Sequence, residues 1–346
     1  MNIMKKISTI LCSALLVLAT GSLSRADSTG EVISLGANLK PAQKASILSY
    51  FGVDENNPNI IYVNNQQERK YLAGVAPEAQ LGHVTMSSSY VVPTTSGGIN
   101  VKTSNITWVT SSMIASTLST AGVENANVVA AAPFPVSGTG ALTGIIIGFE
   151  KSTGGNLTET KKKLANEELV TTGQLANQIG QEKATGIIND AKKEVIKDDL
   201  KNKSEIEKAV KDAAATYNVN LNTGDINVIV NLLKNIGSQN YNYNDVKDTL
   251  NNVSANVVSK LKENGENIDA QAIIDKATSW LKNSKDANKF FNQFDDSKLS
   301  KDAVVSTTNE AASFAKEKIF NNANKAQASG IWEKIKAFID SFLIKV

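Results

Sequence analysis

The feature that most constrains this 346-residue chain is a sharp change in charge density near Glu150. Between Val32 and Glu150 the sequence holds only 5 basic and 6 acidic residues, among many Val, Ile, Ser, Thr and Gly. From Lys151 onward it holds 28 basic and 26 acidic residues, with few β-branched runs. This switch predicts an α+β protein, in which an N-terminal mixed α/β sheet domain with covering helices is followed by an all-α C-terminal domain.

The charge-poor region contains strand and helix patterns in the order β-α-β-α-β-β-α-β-α, which predicts one mixed sheet covered by helices. The strand patterns are Val32 to Leu35, Asn59 to Val63, Leu81 to Val92, Ile99 to Val109 and Asn127 to Ala132. The helix patterns are Pro41 to Phe51, Gln66 to Ala73, Ser111 to Ala121 and the apolar face of Leu142, Ile145, Ile146 and Phe149, with Gly52, Gly74 and Gly122 as helix stops. The two glycines in Thr94 to Gly98 predict a hairpin between the third and fourth strands.

Helical periodicity runs through almost all of the charged region. We predict helices over Thr158 to Thr171, Gly173 to Lys201, Ser204 to Tyr217, Asp225 to Ile236, Asp245 to Glu263, Asp269 to Lys282, Asp286 to Phe294, Lys301 to Asn322 and Ile331 to Val346. Ser204 and Glu207 have the spacing of a capping box at the start of one helix. Helices this long are stabilised mainly by burying apolar faces, so they must pack against one another or against the sheet domain.

The first 26 residues have the order of a secretory signal peptide. Lys5 and Lys6 precede the apolar run Ile7 to Ala19, and small residues precede a cleavage site after Ala26. An uncleaved membrane anchor is the alternative, but about 13 apolar residues fall short of the roughly 20 that cross a bilayer. We therefore predict a signal peptide over residues 1–26, the mixed α/β domain over 27–155 and the helical domain over 156–346.

Removal of the signal peptide leaves 33 basic and 34 acidic residues and no cysteine. A near-neutral chain without a clustered basic face gives no reason to expect a nucleic-acid partner. The single cysteine and the single histidine of the whole sequence exclude internal disulfides and zinc sites built on several Cys or His residues. We find no cofactor motif and no metal motif, so the sequence leans away from an enzyme.

The stretch from Pro133 to Gly144 follows a predicted strand and opens a predicted helix. Backbone N–H groups at such a turn can approach an anion at the positive end of the helix. The candidate ligand-binding residues are Ser137, Gly138, Thr139 and Gly140. The stretch lacks the ending of a Walker A loop and the spacing of a dinucleotide fingerprint. In the alternative, structural interpretation, the glycines only permit a close-packed turn.

Several side chains of the first region support a second hypothesis, an extracellular hydrolase acting on cell-wall or glycan material. Paired carboxylates or an activated serine can cleave such bonds. The candidate groups are Glu78, Glu124, Glu150 and Ser137. Nothing in their spacing shows that two of them face each other. His83, the one imidazole, lies in a predicted strand without a nucleophile elbow nearby, and we interpret it as a surface or half-buried sheet residue.

The last predicted helix has an apolar stripe with lysines among its polar positions. The stripe includes Ile331, Trp332, Ile335, Phe338 and Phe342. Such a helix can lie on a membrane surface, and it can equally pack onto the helical domain. Its length of about 16 residues, interrupted by charges, is too short to span a bilayer, which needs roughly 20 apolar residues. A third hypothesis is therefore a peripheral membrane protein held by this helix.

Three stretches of the first region form distinctive motifs. They are GHVTMSSSYVVPTTSGGINVKTSNITWVT (Gly82 to Thr110), TAGVENANVVAAAPFPVSGTGALTGI (Thr120 to Ile145) and FEKSTG (Phe149 to Gly154). The chain resembles the YpuA-like family of secreted or envelope-associated proteins of Gram-positive bacteria, clearly over residues 31–155 and more weakly through Asp225 to Leu250. The family is classed as a domain of unknown function, so the resemblance implies export and a two-part organisation but no activity.

The first hypothesis from the sequence is a non-catalytic binding or scaffold protein. It would be secreted or associated with the cell envelope, with a wall or envelope component as its expected partner. Membrane contact through the C-terminal helix belongs to the third hypothesis, and the oligomeric state stays open.

Overall fold

The computed structural model describes residues 30–72, 78–153, 157–266, 268 and 286–309. The strands are β1 (Val32–Gly36), β2 (Ile60–Val63), β3 (Ser88–Pro93), β4 (Ile99–Ile106), β5 (Ala126–Val136) and β6 (Val305–Thr307). The helices are α1 (Pro41–Phe51), α2 (Asn65–Leu72), α3 (Glu78–Leu81), α4 (Ser111–Ala121), α5 (Thr139–Thr153), α6 (Glu159–Ile179), α7 (Gln181–Lys197), α8 (Lys203–Thr216), α9 (Thr223–Gly237) and α10 (Tyr243–Glu263). Residues 286–291 are also helical, and Asp296–Lys298 form a 3₁₀ turn. The predicted α+β class is confirmed.

The strands form one mixed sheet in the order β2-β1-β3-β5-β4-β6. The pairs β1–β2 and β4–β5 are parallel. Strand β3 runs antiparallel to both β1 and β5, and β6 runs antiparallel to β4. The predicted mixed sheet is therefore confirmed, with β6 added from a part of the chain that was predicted to be helical.

The predicted hairpin between β3 and β4 is wrong, because β5 lies between these two strands. Strand β3 pairs with β5 from Ser88 opposite Ala131 to Pro93 opposite Ala126. The connection between β3 and β4 instead crosses the start of β5: the N–H of Thr94 donates to the carbonyl of Asn125 (3.2 Å), and the N–H of Gly98 donates to its side chain (2.8 Å). A glycine-bearing connection suits both geometries, so composition alone cannot distinguish them.

Local capping sets the ends of α1 and α4, which begin and end at the predicted residues. Pro41 occupies the first turn of α1, and Gly52 ends that helix in the left-handed conformation, with φ +66°. The side chain of Thr110 accepts a hydrogen bond from the N–H of Met113 (3.1 Å) at the start of α4. Gly122 then ends α4 with φ +96°. These signals lie within a few residues of each helix end, which is why the sequence alone is sufficient to find them.

The first half of the predicted strand Leu81 to Val92 is wrong, since β3 begins only at Ser88. The backbone of Thr85 is hydrogen-bonded to Asn38 in the loop after β1, through the Asn38 side chain (2.9 Å) and its N–H (3.1 Å). This segment therefore pairs with a loop instead of a strand. His83 lies in it and is exposed, so its predicted surface position is confirmed and its predicted strand position is wrong.

The helices cover the sheet on both faces. Helix α1 and residues 287–299 pack on one face, against apolar side chains of β1 and β5. Helices α4 and α5 pack on the other face of the sheet. A second layer of helices, α6, α7 and α10, contacts α4. Helices α8 and α9 pack against α6 and α7. One continuous cluster of buried apolar residues includes side chains from both sides of residue 155. The division of the chain into two domains at that residue stays a prediction.

Helices α8, α9 and α10 begin and end within two residues of their predicted positions. The break between α6 and α7 lies at Gly180 instead of near Gly173. Gly173 is inside α6, where a Cβ would overlap the ring of Trp108, so this glycine permits close packing and does not end the helix. The capping box at Ser204 is also wrong, because the N-cap of α8 is Asn202.

The predicted helix Lys301 to Asn322 is wrong over residues 301–309, which contain β6. Asn105 fixes this strand from a left-handed conformation with φ +60° at an irregularity of β4. Its side chain donates to the carbonyl of Ala132 (3.0 Å) and accepts from the N–H of Val304 (3.2 Å). One asparagine thus joins β4 both to β5 and to the segment that leads into β6. The signal peptide and the helices predicted over 269–282 and 331–346 lie outside the described residues.

Candidate functional site

The turn between β5 and α5 holds the four candidate ligand-binding residues. Ser137 is half-buried, whereas Gly138, Thr139 and Gly140 are buried. Gly138 has φ +101°, and a Cβ at this position would overlap the Cγ2 atom of Ile106. Glycine is therefore required here both by the left-handed backbone and by the close approach of β4.

A carboxylate of the chain itself lies beside this turn. The side chain of Glu68, from α2, is 1% exposed and accepts hydrogen bonds from the hydroxyls of Thr85 and Thr139, the latter at 3.0 Å. A Cβ on Gly140 would lie only 2.9 Å from Glu68 Oε1, so any larger residue at this position would clash with the carboxylate. The positive end of α5 favours a negative charge at this place. The acidic group nearest the turn thus belongs to the chain itself, and an external ligand at residues 137–140 stays a prediction.

Burial raises the pKa of the Glu68 carboxyl, and the hydrogen bonds from Thr85 and Thr139 oppose this shift. A raised pKa means that the folded protein binds the proton more tightly than the unfolded chain does. The contribution of Glu68 to stability is therefore complete below the ordinary glutamate pKa of about 4.3, and it is lost as the pH rises through the folded-state value.

We expect Glu68→Gln to become more stable relative to the wild-type protein as the pH rises from 4 to 8, because glutamine keeps the shape of the side chain without its charge. Urea unfolding of both proteins across this pH range measures the difference in the free energy of unfolding. Glu55→Gln makes the same substitution at an exposed carboxylate and is the control for the loss of one negative charge. A Glu68→Gln difference that shrinks with rising pH would contradict this assignment.

A stripe of three glycines lets α5 lie close to the sheet. Gly140, Gly144 and Gly148 are spaced by four residues, so they share one face of the helix. A Cβ on Gly144 would overlap the hydroxyl of Ser34 in β1, which is hydrogen-bonded to the hydroxyl of Ser89 in β3 (2.6 Å). The apolar face predicted for this helix is confirmed, but the sequence interpretation missed the glycine stripe, whose signal is the regular spacing over residues 140–148.

A fully buried ion pair joins α6 and α7. Lys192 Nζ lies 2.8 Å from Glu168 Oε1, and the two side chains are 0% and 1% exposed. The ammonium also donates to the hydroxyls of Ser116 (2.9 Å), Ser119 (3.2 Å) and Thr120 (3.0 Å) in α4, while the hydroxyls of Ser116 and Thr120 donate to the carboxylate. Burial lowers the pKa of Lys192, and the nearby Glu168 opposes this shift. This network ties three helices together.

The pair of Ser116 and Lys192 has the atoms of a lysine-activated serine nucleophile. Ser116 is only 3% exposed and Lys192 is fully buried, so a substrate has no route to them in this conformation. The sequence interpretation missed this network. A signal was present in α4, whose buried hydroxyl residues are Ser111, Ser112, Ser116, Thr117, Ser119 and Thr120. A helix that buries this many hydroxyls needs polar partners, which its neighbours supply.

The three glutamates of the hydrolase hypothesis lie in different surroundings. Arg69 binds Glu78 through two hydrogen bonds (3.0 and 2.7 Å), which lower the pKa of that carboxyl. Lys162 binds Glu150 (3.0 Å). Glu124 is exposed and makes no hydrogen bond or ion pair with the described residues. Two of the three carboxylates are therefore held by separate cations, whereas Glu124 interacts with Lys161 only at longer range and forms no close ion pair within the described part of the chain.

A surface groove of about 280 Å³ lies where β3 ends and β5 begins. Its apolar walls include Pro93, Phe149 and Leu157, and Glu124 is among its polar lining residues. Lys161 runs past the groove, but its ammonium donates to the carbonyl of Asn240 (2.9 Å) and lies 4.2 Å from the centroid of the Tyr241 ring. The lysine ammonium is thus held by Asn240 and Tyr241, and its charge also interacts at longer range with the carboxylate of Glu124, which lines the groove.

The apolar stripe of the last predicted helix, with Ile331, Trp332, Ile335, Phe338 and Phe342, lies outside the described residues. In the described ranges, no helix combines the length and the hydropathy that crossing a membrane requires. The same ranges contain no group of three or more His, Cys, Asp or Glu side chains placed to hold a metal ion.

Comparison with known proteins gives a family and one named relative. Residues 35–253 match the family model described as "Protein of unknown function (DUF1002)". The "Uncharacterized protein YpuA" of Bacillus subtilis (strain 168) is 37% identical over 271 residues, which cover 77% of this chain and 93% of the relative. No solved structure matches. The resemblance inferred from the sequence motifs is therefore confirmed, and neither match describes an activity.

Proposed function

The chain belongs to the DUF1002 family, whose function is unknown, and we propose that it is a non-catalytic binding protein that is secreted or held at the cell envelope. This proposal rests on one contrast in the structure, between a buried polar network and a groove that is open to solvent. The polar network with the composition of a catalytic site, around Lys192 and Glu168, is sealed inside the helices. The groove beside Glu124 is open to solvent, and most of its lining surface is apolar. The export part of the proposal is supported by the order of residues 1–26.

The lining of the groove indicates the chemistry of its ligand. Pro93, Phe149 and Leu157 can remove an apolar group from water, at about 25 cal/mol for each Å² of apolar surface buried. Glu124 adds an exposed negative charge that forms no hydrogen bond or close ion pair with the described residues and interacts with Lys161 only at longer range. An exposed ion pair contributes only about 0.2 to 1 kcal/mol. The walls would therefore supply most of the affinity, and Glu124 would favour a ligand whose apolar stem ends in a primary amine, such as a lysine-like side chain of an envelope peptide.

Two fluorescent probes test this site: dansylcadaverine, an apolar ring with a primary amine on a flexible chain, and dansylamide, which lacks the amine. The protein is taken from the culture medium of a producing strain, where export predicts a chain that begins at Asp27. We expect Phe149→Ala to weaken the binding of both probes. We expect Glu124→Gln to weaken only dansylcadaverine, by about 2- to 5-fold, the size of a rim ion pair.

Glu55→Gln is the matched control, since it removes an exposed carboxylate outside the groove and should leave both affinities unchanged. If neither probe binds, the groove is not a binding site of this kind. If Glu124→Gln weakens the binding of both probes equally, Glu124 does not recognise the amine. Turnover of wall, glycan or peptide substrates by the purified protein would overturn the non-catalytic assignment.

A further inference from the structure

Strand β4 presents Lys102 and Ser104 on the sheet face that carries an apolar cluster of β1 and β5 residues. In the register of the sheet, Lys102 lies opposite Val129 and Ser104 opposite Ala131, and both of these β5 residues belong to the apolar cluster on that face. Lys102 is only 6% exposed. A lysine buried in this way is stable only with a well-placed partner for its charge.

The polar groups on this face converge on one carboxylate, that of Asp296. Lys102 Nζ lies 2.7 Å from Oδ2 of Asp296. The hydroxyls of Ser104 and of Tyr50, from α1, donate to Oδ1 at 2.6 and 2.9 Å. One cation and two hydroxyl donors, supplied by a strand and a helix, therefore form a complete receptor for a carboxylate.

Asp296 lies on a segment that crosses this face, residues 286–299, which we name the strap. Two residues before it, Phe294 is buried and packs against the rings of Tyr50 and Tyr90, with centroids 5.7 Å away in both cases. Lys102 also donates to the carbonyl of Phe294 (3.1 Å). The receptor thus recognises two features at once, an aromatic ring and an aspartate two residues after it.

The residues of the receptor lie within the part of the chain that the family model matches, and the strap lies outside it. Tyr50, Lys102 and Ser104 lie within residues 35–253, the range that matches the family model, whereas Asp296 lies outside that range. They also differ in exposure: the side chain of Asp296 is 27% exposed, and that of Lys102 is 7% exposed. The bound carboxylate is therefore nearer to solvent than the cation that holds it.

We propose that Tyr50, Lys102 and Ser104 form a binding site for an acidic peptide segment of a partner, with an aromatic residue two positions before an aspartate, and that the strap occupies this site as an internal ligand. The site shares no residue with the groove. A ligand that belongs to the same chain acts at a high effective concentration, because its binding is intramolecular. A partner segment would therefore bind only in competition with the strap.

The test uses the full chain and a labelled peptide with the strap sequence KFFNQFDDSKL, residues 289–299. Asp296→Ala in the chain removes the internal carboxylate. We expect this variant to bind the peptide at least about 10-fold more tightly than the wild-type chain does, because loss of one partner of a buried pair weakens the strap strongly. A peptide carrying the same Asp296→Ala change should lose this binding.

Three further variants complete the experiment. Asp295→Ala in the chain should behave like the wild type, since the Asp295 carboxylate binds Ser297 instead (3.1 and 2.7 Å). Adding Lys102→Met to Asp296→Ala should abolish peptide binding. Phe149→Ala in the groove should leave peptide binding unchanged, which separates this site from the proposed function. If Asp296→Ala does not fold by circular dichroism, Asp296→Asn takes its place with the same expectations. Equal peptide binding by variant and wild type, or equal binding of the two peptides, overturns the proposal.

Discussion

Lys192→Met should lower the free energy of unfolding by about 3 to 5 kcal/mol, the usual range for breaking one side of a buried ion pair. The Glu168 carboxylate, 1% exposed, would be left in the interior without its cation. The hydroxyls of Ser116, Ser119 and Thr120 would also lose the ammonium they now bind. Equilibrium unfolding in urea at pH 7 measures the loss.

Two further variants separate the charge from the packing. Lys192→Met combined with Glu168→Leu removes both charges and should recover a substantial part of the lost stability, because no uncompensated charge remains buried. Lys197→Met, in the same helix, removes an exposed lysine whose ion pair with Asp198 is long (3.6 Å). It should change the stability by no more than about 0.5 kcal/mol. A loss below about 1 kcal/mol for Lys192→Met would show that the pair is not important for stability.

Gly144→Ala should be destabilising by about 3 kcal/mol, at the upper end of the usual effect of overpacking. The added Cβ would overlap the hydroxyl of Ser34 and lie 2.7 Å from its Cβ, so either α5 or β1 must move. The better helix propensity of alanine offsets only about 1 kcal/mol of this. Thermal and urea unfolding measure the change.

Gly148→Ala is the matched control, one turn further along the same helix. Its added Cβ would lie 3.4 Å from Cγ1 of Val32, which needs at most a small adjustment of the neighbour. We expect this variant to be near neutral, or more stable by up to about 1 kcal/mol from helix propensity. Equal losses for the two glycines would contradict the close approach of α5 to the sheet at Ser34.

The sequence predicts those parts of the fold that local chemistry decides. The sequence predicts α1 and α4 to the residue because Pro41, Gly52 and Gly122 act within one turn of the helix ends. The order of the strands in the sheet cannot be predicted in this way, because the sequence pattern of a strand does not indicate which strand it pairs with. Asn125 and Asn105, which help to place β5 and β6 beside β4, make contacts that only the folded chain brings together.

The polar sites were harder to predict for the same reason. The turn at Ser137 was found from its glycines, but nothing near it in sequence indicates that Glu68 lies beside it. Lys192 belongs to a long run of charged residues, and only the hydroxyls of α4 distinguish it from lysines in solvent. The sequence pattern places a helix break just before Gly173, because a glycine at a helix boundary and one that packs against an aromatic ring, here Trp108, look alike in sequence.

The pairing of β6 with β4 determines when this sheet can be completed during synthesis. Lys102 is opposite Thr307, so β4 has to wait for about 200 further residues before it gains this neighbour. The free-energy cost of closing a loop grows only slowly with its length, by about 0.6 kcal/mol per doubling, so the long separation adds little to the cost of this pairing. Its kinetic effect is larger, since folding slows as the contact order rises. A nascent chain therefore cannot complete this sheet until residues 305–307 have been synthesised, and its β4 edge remains unpaired until then.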